Sequence, residues 1–266
     1  MRFETTSGGV AVITLSRPGH RNAFSGLMGS ELGHAYQECD RNDDIRAVVL
    51  TGNGKDFCVG ADLAGGTNTF EKQEETGFSA GAVEPPAFAI RKPVIAAVNG
   101  HAVGIGLTLP MQCDIRIFAR EGKYGFLHVR RGVIPDAYAH FTVPRLAGFA
   151  NATELMLTGR RITGPEAGSM GLANQVLPAA EVLPAALAIA TDIATNVAPL
   201  SAAFCKKLLW ESPNDDHEAI GRKETVLHHL VMGQPDAAEG VMAFLEKREP
   251  KWKLKVSESW PDRWPK

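Results

Sequence analysis

The chain has 266 residues, a formal net charge of −2 and 22% charged residues, enough to bury a large core without disulfides or a structural metal. It has no basic stripe for nucleic acid, and no Lys/Arg run or stretch of the ~18 apolar residues that a membrane span needs. The cysteines, Cys39, Cys58, Cys113 and Cys205, are far apart and form no C-x-x-C pair. Together with an N-terminus that lacks an apolar leader core, they point to reduced thiols and a cytoplasmic location.

Val10–Leu15 (VAVITL) reads as a strand closed by Arg17-Pro18-Gly19. Met28, Leu32, Ala35, Tyr36 and Cys39 recur at helical spacing across Ser25–Cys39. Ile45–Thr51 is a β-branched run that ends in the turn Gly52-Asn53-Gly54, and the same kind of run recurs at Pro93–Asn99 and Cys113–Phe118. Near-continuous apolar strands alternating with helices predict an α/β fold whose sheet is covered on both faces. The polar stretch 64–92 reads as a mobile segment or a loosely held helix over the site. Beyond about residue 138 the pattern turns helical, with a capping box at Thr163–Glu166 and helices near 181–197, 199–210, 215–231 and 236–248. The tail holds three of the four tryptophans and reads as disordered or docked on a neighbouring subunit.

Several motifs fail on context. Gly104 and Gly106 lack the third glycine of a dinucleotide fingerprint, and Gly54-Lys55 lacks the rest of a P-loop. Gly77-Phe78-Ser79-Ala80-Gly81 matches a nucleophile elbow, but the charged residues Glu71–Glu75 before it cannot form a buried strand. His228 and His229 are adjacent, so on a helix they point apart and do not share a metal; no metal site is expected. Two stretches share one design. Phe57–Leu63 and Val103–Gly106 each place small residues and exposed N–H groups just past a strand. Two such donors suit an oxyanion hole, although from the pattern alone the reading as two tight turns prevails.

The motifs RNAF (21–24), VVLTGNGKDFCVGADL (48–63), KPVIAAVNGHAVGIG (92–106), CDIRIFA (113–119), RRGVIPD (130–136), ELMLTGRRITGPEAGSMGLANQVLP (154–178) and AFLEKREP (243–250) resemble the crotonase superfamily, the enoyl-CoA hydratase/isomerase group. The resemblance implies a spiral core of ββα units over 1–195 and a helical trimerisation region over 196–250. Residues 251–266 form a tail outside the match. It further implies an acyl-CoA thioester substrate, a homotrimer or dimer of trimers, and no cofactor beyond the coenzyme A carried by the substrate. The family's oxyanion donors match the N–H groups of Ala61 and Ile105. Arg21, Ala23, Gly60, Asp62 and Leu63 match the region that contacts coenzyme A, with Arg21 toward a phosphate. Phe244 and Lys247 match positions that reach a neighbouring subunit's coenzyme A.

The chain departs from the family's hydratases where they carry two glutamates, because Thr108 and His128 stand there instead. Threonine can hold a water but not deprotonate it near neutral pH. His128 reads either as a base or as a satisfied structural residue. Asp136 reads either as a helix N-cap or as the acid that serves as base in family isomerases and as nucleophile in aryl-CoA dehalogenases. Asp62 reads as a cap of its turn, and His140 and Tyr138 as neighbours that line the pocket or orient Asp136. Pro110, about six residues into the helix from Gly104, is expected to kink it and move Thr108. The favoured reading is double-bond isomerisation with Asp136 as proton shuttle. The alternatives are a hydratase using His128, a dehalogenase- or hydrolase-like enzyme using Asp136, and a quiet acyl-CoA binder.

Overall fold

A computed structural model describes residues 1–70 and 83–266. The elements run β1 (Arg2–Thr5), β2 (Val10–Leu15), α1 (Gly26–Arg41), β3 (Ala47–Gly52), β4 (Asp56–Cys58), β5 (Val94–Val98), β6 (His101–Val103), α2 (Ile105–Thr108), β7 (Ile115–Ala119), β8 (Lys123–Gly125) and α3 (Ala139–Thr158). They continue with β9 (Ile162–Thr163), α4 (Gly164–Ser169), β10 (Gln175–Leu177), α5 (Ala179–Asn196), α6 (Pro199–Glu211), α7 (His217–Val231), α8 (Pro235–Glu246) and α9 (Val256–Ser259). The strands form two sheets, one ordered β1-β2-β3-β5-β7-β10 and the other β4-β6-β8-β9. In three successive passes, β3–β4, β5–β6 and β7–β8, the chain adds a parallel strand to the larger sheet and then one to the smaller. The sheets therefore grow as a spiral.

Alternation along the buried strands divides the core. Val48 and Leu50 of β3 join Val94, Ala96 and Val98 of β5 in the cluster on one face, where α1 brings Met28, Leu32, Ala35, Tyr36 and Cys39. Ala47, Val49, Ile95, Ala97 and Ile117 point the other way and meet α5. Val182, Ala186, Ala190 and Ala194 recur every four residues on α5, and their small side chains let the helix lie close on the sheet. Coverage on both faces explains why these strands read as unbroken apolar runs. The Thr163–Glu166 capping box forms on α4, and His228 and His229 are exposed on α7.

Three expectations are corrected. The tail folds back on its own chain: Trp260 and Trp264 stack at 5.3 Å and both pack on Phe204, while the Trp252 indole donates to Thr195 O at 3.1 Å. Aromatic area and indole N–H groups both find partners there, so neither disorder nor a neighbouring subunit is needed. Within the 64–92 stretch, Leu63–Asn68 is a short 3-10 helix, but Val83, Ala87 and Ile90 are buried in the core, which anchors that end. Its middle, with the Gly77–Gly81 motif, lies outside the described residues. Pro110 does not kink a longer helix. The α-helical turn ends at Thr108 and tightens into a 3-10 turn over Pro110–Gln112.

Candidate active site

The two glycine turns after β4 and β6 touch. Gly60 has φ +98°, and a Cβ there would stand 2.9 Å from Val103 O. Gly104 has φ +57°, and its Cβ would lie 3.7 Å from Gly60 Cα. Positive φ favours glycine at both positions, and at Gly60 the close approach to Val103 O requires it as well. Phe24 fixes the first turn, its N–H donating to Gly60 O at 2.8 Å and its carbonyl accepting from Asp62 N at 2.9 Å. Gly104 N donates to Gly125 O at 2.9 Å and fixes the second.

These bonds leave the N–H groups of the next residues unspent. Ile105 opens α2, so its N–H precedes the helical ladder. Ala61 lies in the bridge to Phe24, but the bridge uses the amides on either side of it. Neither N–H has a protein acceptor among the described residues. Two donors presented from adjoining turns are the arrangement that stabilises an oxyanion.

Beside them stand Thr108, fully buried at the end of α2, and His128, 8% exposed. Thr108 Oγ1 donates to Asp136 Oδ1 at 2.9 Å and also lies 3.2 Å from Ile105 O. His128 Nε2 is 3.3 Å from the same Asp136 oxygen without a hydrogen bond between them, and neither ring nitrogen has a hydrogen-bond partner among the described residues. The imidazole also borders the second glycine turn, with Nε2 3.8 Å from where a Gly104 Cβ would be. The structure thus brings Thr108, His128 and Asp136 together at the paired turns. Cys58, under the same turns, is held as a thiol because burial pushes its pKa up to about 12.

Asp136 does not cap a helix. The N-cap of α3 is Tyr138, in the left-handed conformation and without a capping side chain, because Ala137 (φ +49°) and Tyr138 (φ +62°) turn the backbone between them. Strain at two consecutive non-glycine residues beside a carboxylate marks a held geometry. Gln112 supplies the hold, donating Nε2 to Ala137 O at 2.9 Å and accepting from Ala87 N at 3.3 Å. Tyr138 packs edge-on against Phe88, and His140 is exposed.

Around the first turn, Asp62 accepts from Ala64 N at 3.1 Å and from Arg17 Nη2 at 2.8 Å, so its carboxylate faces the 3-10 turn and Arg17. The Arg17 bond holds the Asp62 pKa below the ordinary carboxylate range. Arg17 Nη1 also donates to Ala23 O at 2.7 Å. Arg21 grips Asp56 through two bonds of 2.8 and 3.0 Å, so a phosphate would share this guanidinium with a carboxylate. Leu63 is half-exposed beside this loop. Phe244, 82% exposed, and Lys247 sit at the end of α8, and no hydrogen bond ties them to the paired turns. Among the described residues no three His, Cys, Asp or Glu side chains cluster as metal ligands. No helix among them is long and apolar enough to cross a membrane.

Sequence reasoning passed over Arg17 and Gln112. Arg17 is visible only as a turn residue before Pro18, and Gln112 as one polar side chain in an apolar helix end. A buried amide at such a place was the available signal.

The family model described as enoyl-CoA hydratase/isomerase matches residues 5–255. An enoyl-CoA hydratase of Alternaria alternata is 37% identical over 248 residues, covering 92% of this chain and 83% of that protein. A probable enoyl-CoA hydratase/isomerase from Mycobacterium abscessus superposes with TM-score 0.92 at 49% identity, covering 96% of this chain and 98% of that one. An enoyl-CoA hydratase from Bacillus anthracis superposes with TM-score 0.86 at 32% identity, covering 95% and 98% of the two chains.

Proposed function

Because the chain belongs to the enoyl-CoA hydratase/isomerase family of acyl-CoA enzymes, we propose that it moves the double bond of an enoyl-CoA thioester, with Asp136 as the single proton carrier. The thioester oxygen sits between the N–H groups of Ala61 and Ile105. Asp136 takes a proton from C2 of a 3-enoyl thioester, and the electron pair passes to the oxygen as an enolate. The two N–H groups stabilise that charge as it develops. Asp136 then returns the proton at C4, which closes the double bond between C2 and C3 and restores the carboxylate.

One observation carries this reading: Asp136 meets Thr108 and His128, and no second carboxylate joins them among the described residues. Shuttling one proton between two carbons needs one such group, whereas activating a water by two acids needs two. A second reading has its own support, since the relatives' names say hydratase and the His128 ring nitrogens make no hydrogen bonds among the described residues. In it, His128 takes the proton from a water that adds to a 2-enoyl thioester. The test incubates the protein with 3-enoyl-CoA and, separately, with 2-enoyl-CoA. The isomerase reading expects 2-enoyl product from the first, slowed on the order of 10²–10⁴-fold by Asp136→Asn. Formation of 3-hydroxyacyl-CoA from the second, lost in His128→Gln and kept in Asp136→Asn, selects the hydratase.

The same reading includes assembly into three or six chains, with Phe244 and Lys247 completing a neighbour's coenzyme A site. Exposed Val241, Phe244 and Leu245 support it, as does the groove of about 430 Å³ among Leu200, Val231, Trp252 and Leu254. Light scattering of the purified protein at micromolar concentration tests it; a monomer there contradicts it.

A further inference from the structure

Asp136 has two oxygens in different surroundings. Oδ1 lies against Thr108 Oγ1 at 2.9 Å and His128 Nε2 at 3.3 Å, while no described residue hydrogen-bonds Oδ2. We infer that Thr108 is a positioning residue: it pins Oδ1 and leaves Oδ2 as the oxygen that carries the proton. This rests on the reading of Asp136 as the base.

Thr108 has one hydroxyl proton and two acceptors in reach, Asp136 Oδ1 at 2.9 Å and Ile105 O at 3.2 Å. The shorter bond goes to the group that can bear charge, and a bond to an ionised acceptor is the stronger one. While Asp136 is ionised, Thr108 donates to it. Once Oδ2 is protonated that bond weakens, and the Ile105 carbonyl can take the hydroxyl proton instead. The hydroxyl therefore favours the carboxylate and helps Asp136 release its proton to C4. The same side chain lies three residues past the oxyanion donor Ile105 on one helical turn, so it fixes the proton carrier relative to the enolate oxygen.

The titratable groups facing Asp136 are His128, from the 3-10 turn over Leu127–Arg131, and Cys58 on β4. Tyr138 and the exposed His140 follow it in its own segment. Burial holds Cys58 as a neutral thiol, and the measurement is repeated in His128→Gln, which removes the imidazole 3.3 Å from Asp136 Oδ1.

The experiment follows exchange of the C2 hydrogen of 3-enoyl-CoA with solvent deuterium, against pH, in wild type, Thr108→Val, Thr108→Ser and Asp136→Asn. Valine keeps the shape and deletes the hydroxyl, and serine keeps the hydroxyl. The expected result is an acidic limb moved up by about one pH unit in Thr108→Val, because the charged form loses a hydrogen bond. A rate loss of about tenfold or more accompanies it, and Thr108→Ser restores the wild-type limb. If Asp136→Asn abolishes exchange but Thr108→Val keeps the wild-type limb, the positioning role is overturned. If Asp136→Asn exchanges like wild type, or wild type neither exchanges nor isomerises the substrate, the base assignment fails and this inference with it. Melting curves of both Thr108 variants identify a fold defect, and the serine variant alone then decides: a limb displaced in Thr108→Ser overturns the inference.

Discussion

His128 Nε2 stands 3.3 Å from Asp136 Oδ1, yet neither nitrogen of this buried imidazole completes a hydrogen bond among the described residues. A buried polar group left unpaired is a stability cost that an apolar residue would not carry. His128→Leu is therefore expected to change stability by no more than about 1 kcal/mol in chemical denaturation, since no protein hydrogen bond among the described residues is lost with the ring. A loss of several kcal/mol in that variant would mean that the ring is held by a bond this geometry lacks.

The oxyanion assignment predicts a loss that a side-chain change cannot produce. Ile105 is the first residue of α2, where proline is tolerated because that N–H has no helical partner. Ile105→Pro is expected to cost on the order of 10²–10³-fold in kcat by deleting one donor. Ile105→Val, which keeps the N–H, is expected to stay within about tenfold. Equal losses in the two variants, measured by steady-state kinetics, would point to the side chain.

The docked tail predicts a dependence of the fold on its tryptophans. Trp264 Nε1 donates to Glu211 at 2.8 Å, and the ring packs with Trp260 over Phe204, itself 4% exposed. Trp260→Ala and Trp264→Ala are each expected to cost about 2–4 kcal/mol in urea unfolding, near the range for large aromatic truncations. A cost below about 0.5 kcal/mol would show that the tail is not seated in solution.

The Arg21–Asp56 pair predicts an acid dependence. The two hydrogen bonds from Arg21 hold the Asp56 carboxyl below its ordinary range. A depressed folded pKa contributes stability that is fully present above the unfolded value of about 3.9 and is lost as pH falls through the folded value. Arg21→Gln is therefore expected to be less stable than wild type at pH 7, with the gap narrowing below about pH 4. A gap that is unchanged at pH 3 would contradict the pairing.

Strands and helices were legible where burial repeats with one period. α1 and β3 are recovered from Leu32, Tyr36, Val48 and Leu50 because their spacing alone selects a face. The spiral was not legible by the same means. Its three passes repeat in space, but β4, β6 and β8 are only three residues long, too short to show a period. Ala61 and Ile105 drew notice through their flanking glycines, yet their convergence depends on contact between turns over forty positions apart. The contact between Thr108 and Asp136 needed the resemblance to direct attention and the structure to join them. Nothing in the order of residues says that Thr108 bonds Asp136 rather than a water. The tail misled because tryptophans beside prolines read alike whether they meet another chain or their own α6.

The central claim, that Asp136 alone carries the proton from C2 to C4, is tested most directly with 3-enoyl-CoA deuterated at C2. The account predicts that part of the label appears at C4 of the 2-enoyl product, and that Asp136→Asn removes both turnover and transfer. Isomerisation at the wild-type rate in Asp136→Asn, or turnover with no label ever reaching C4, would contradict it.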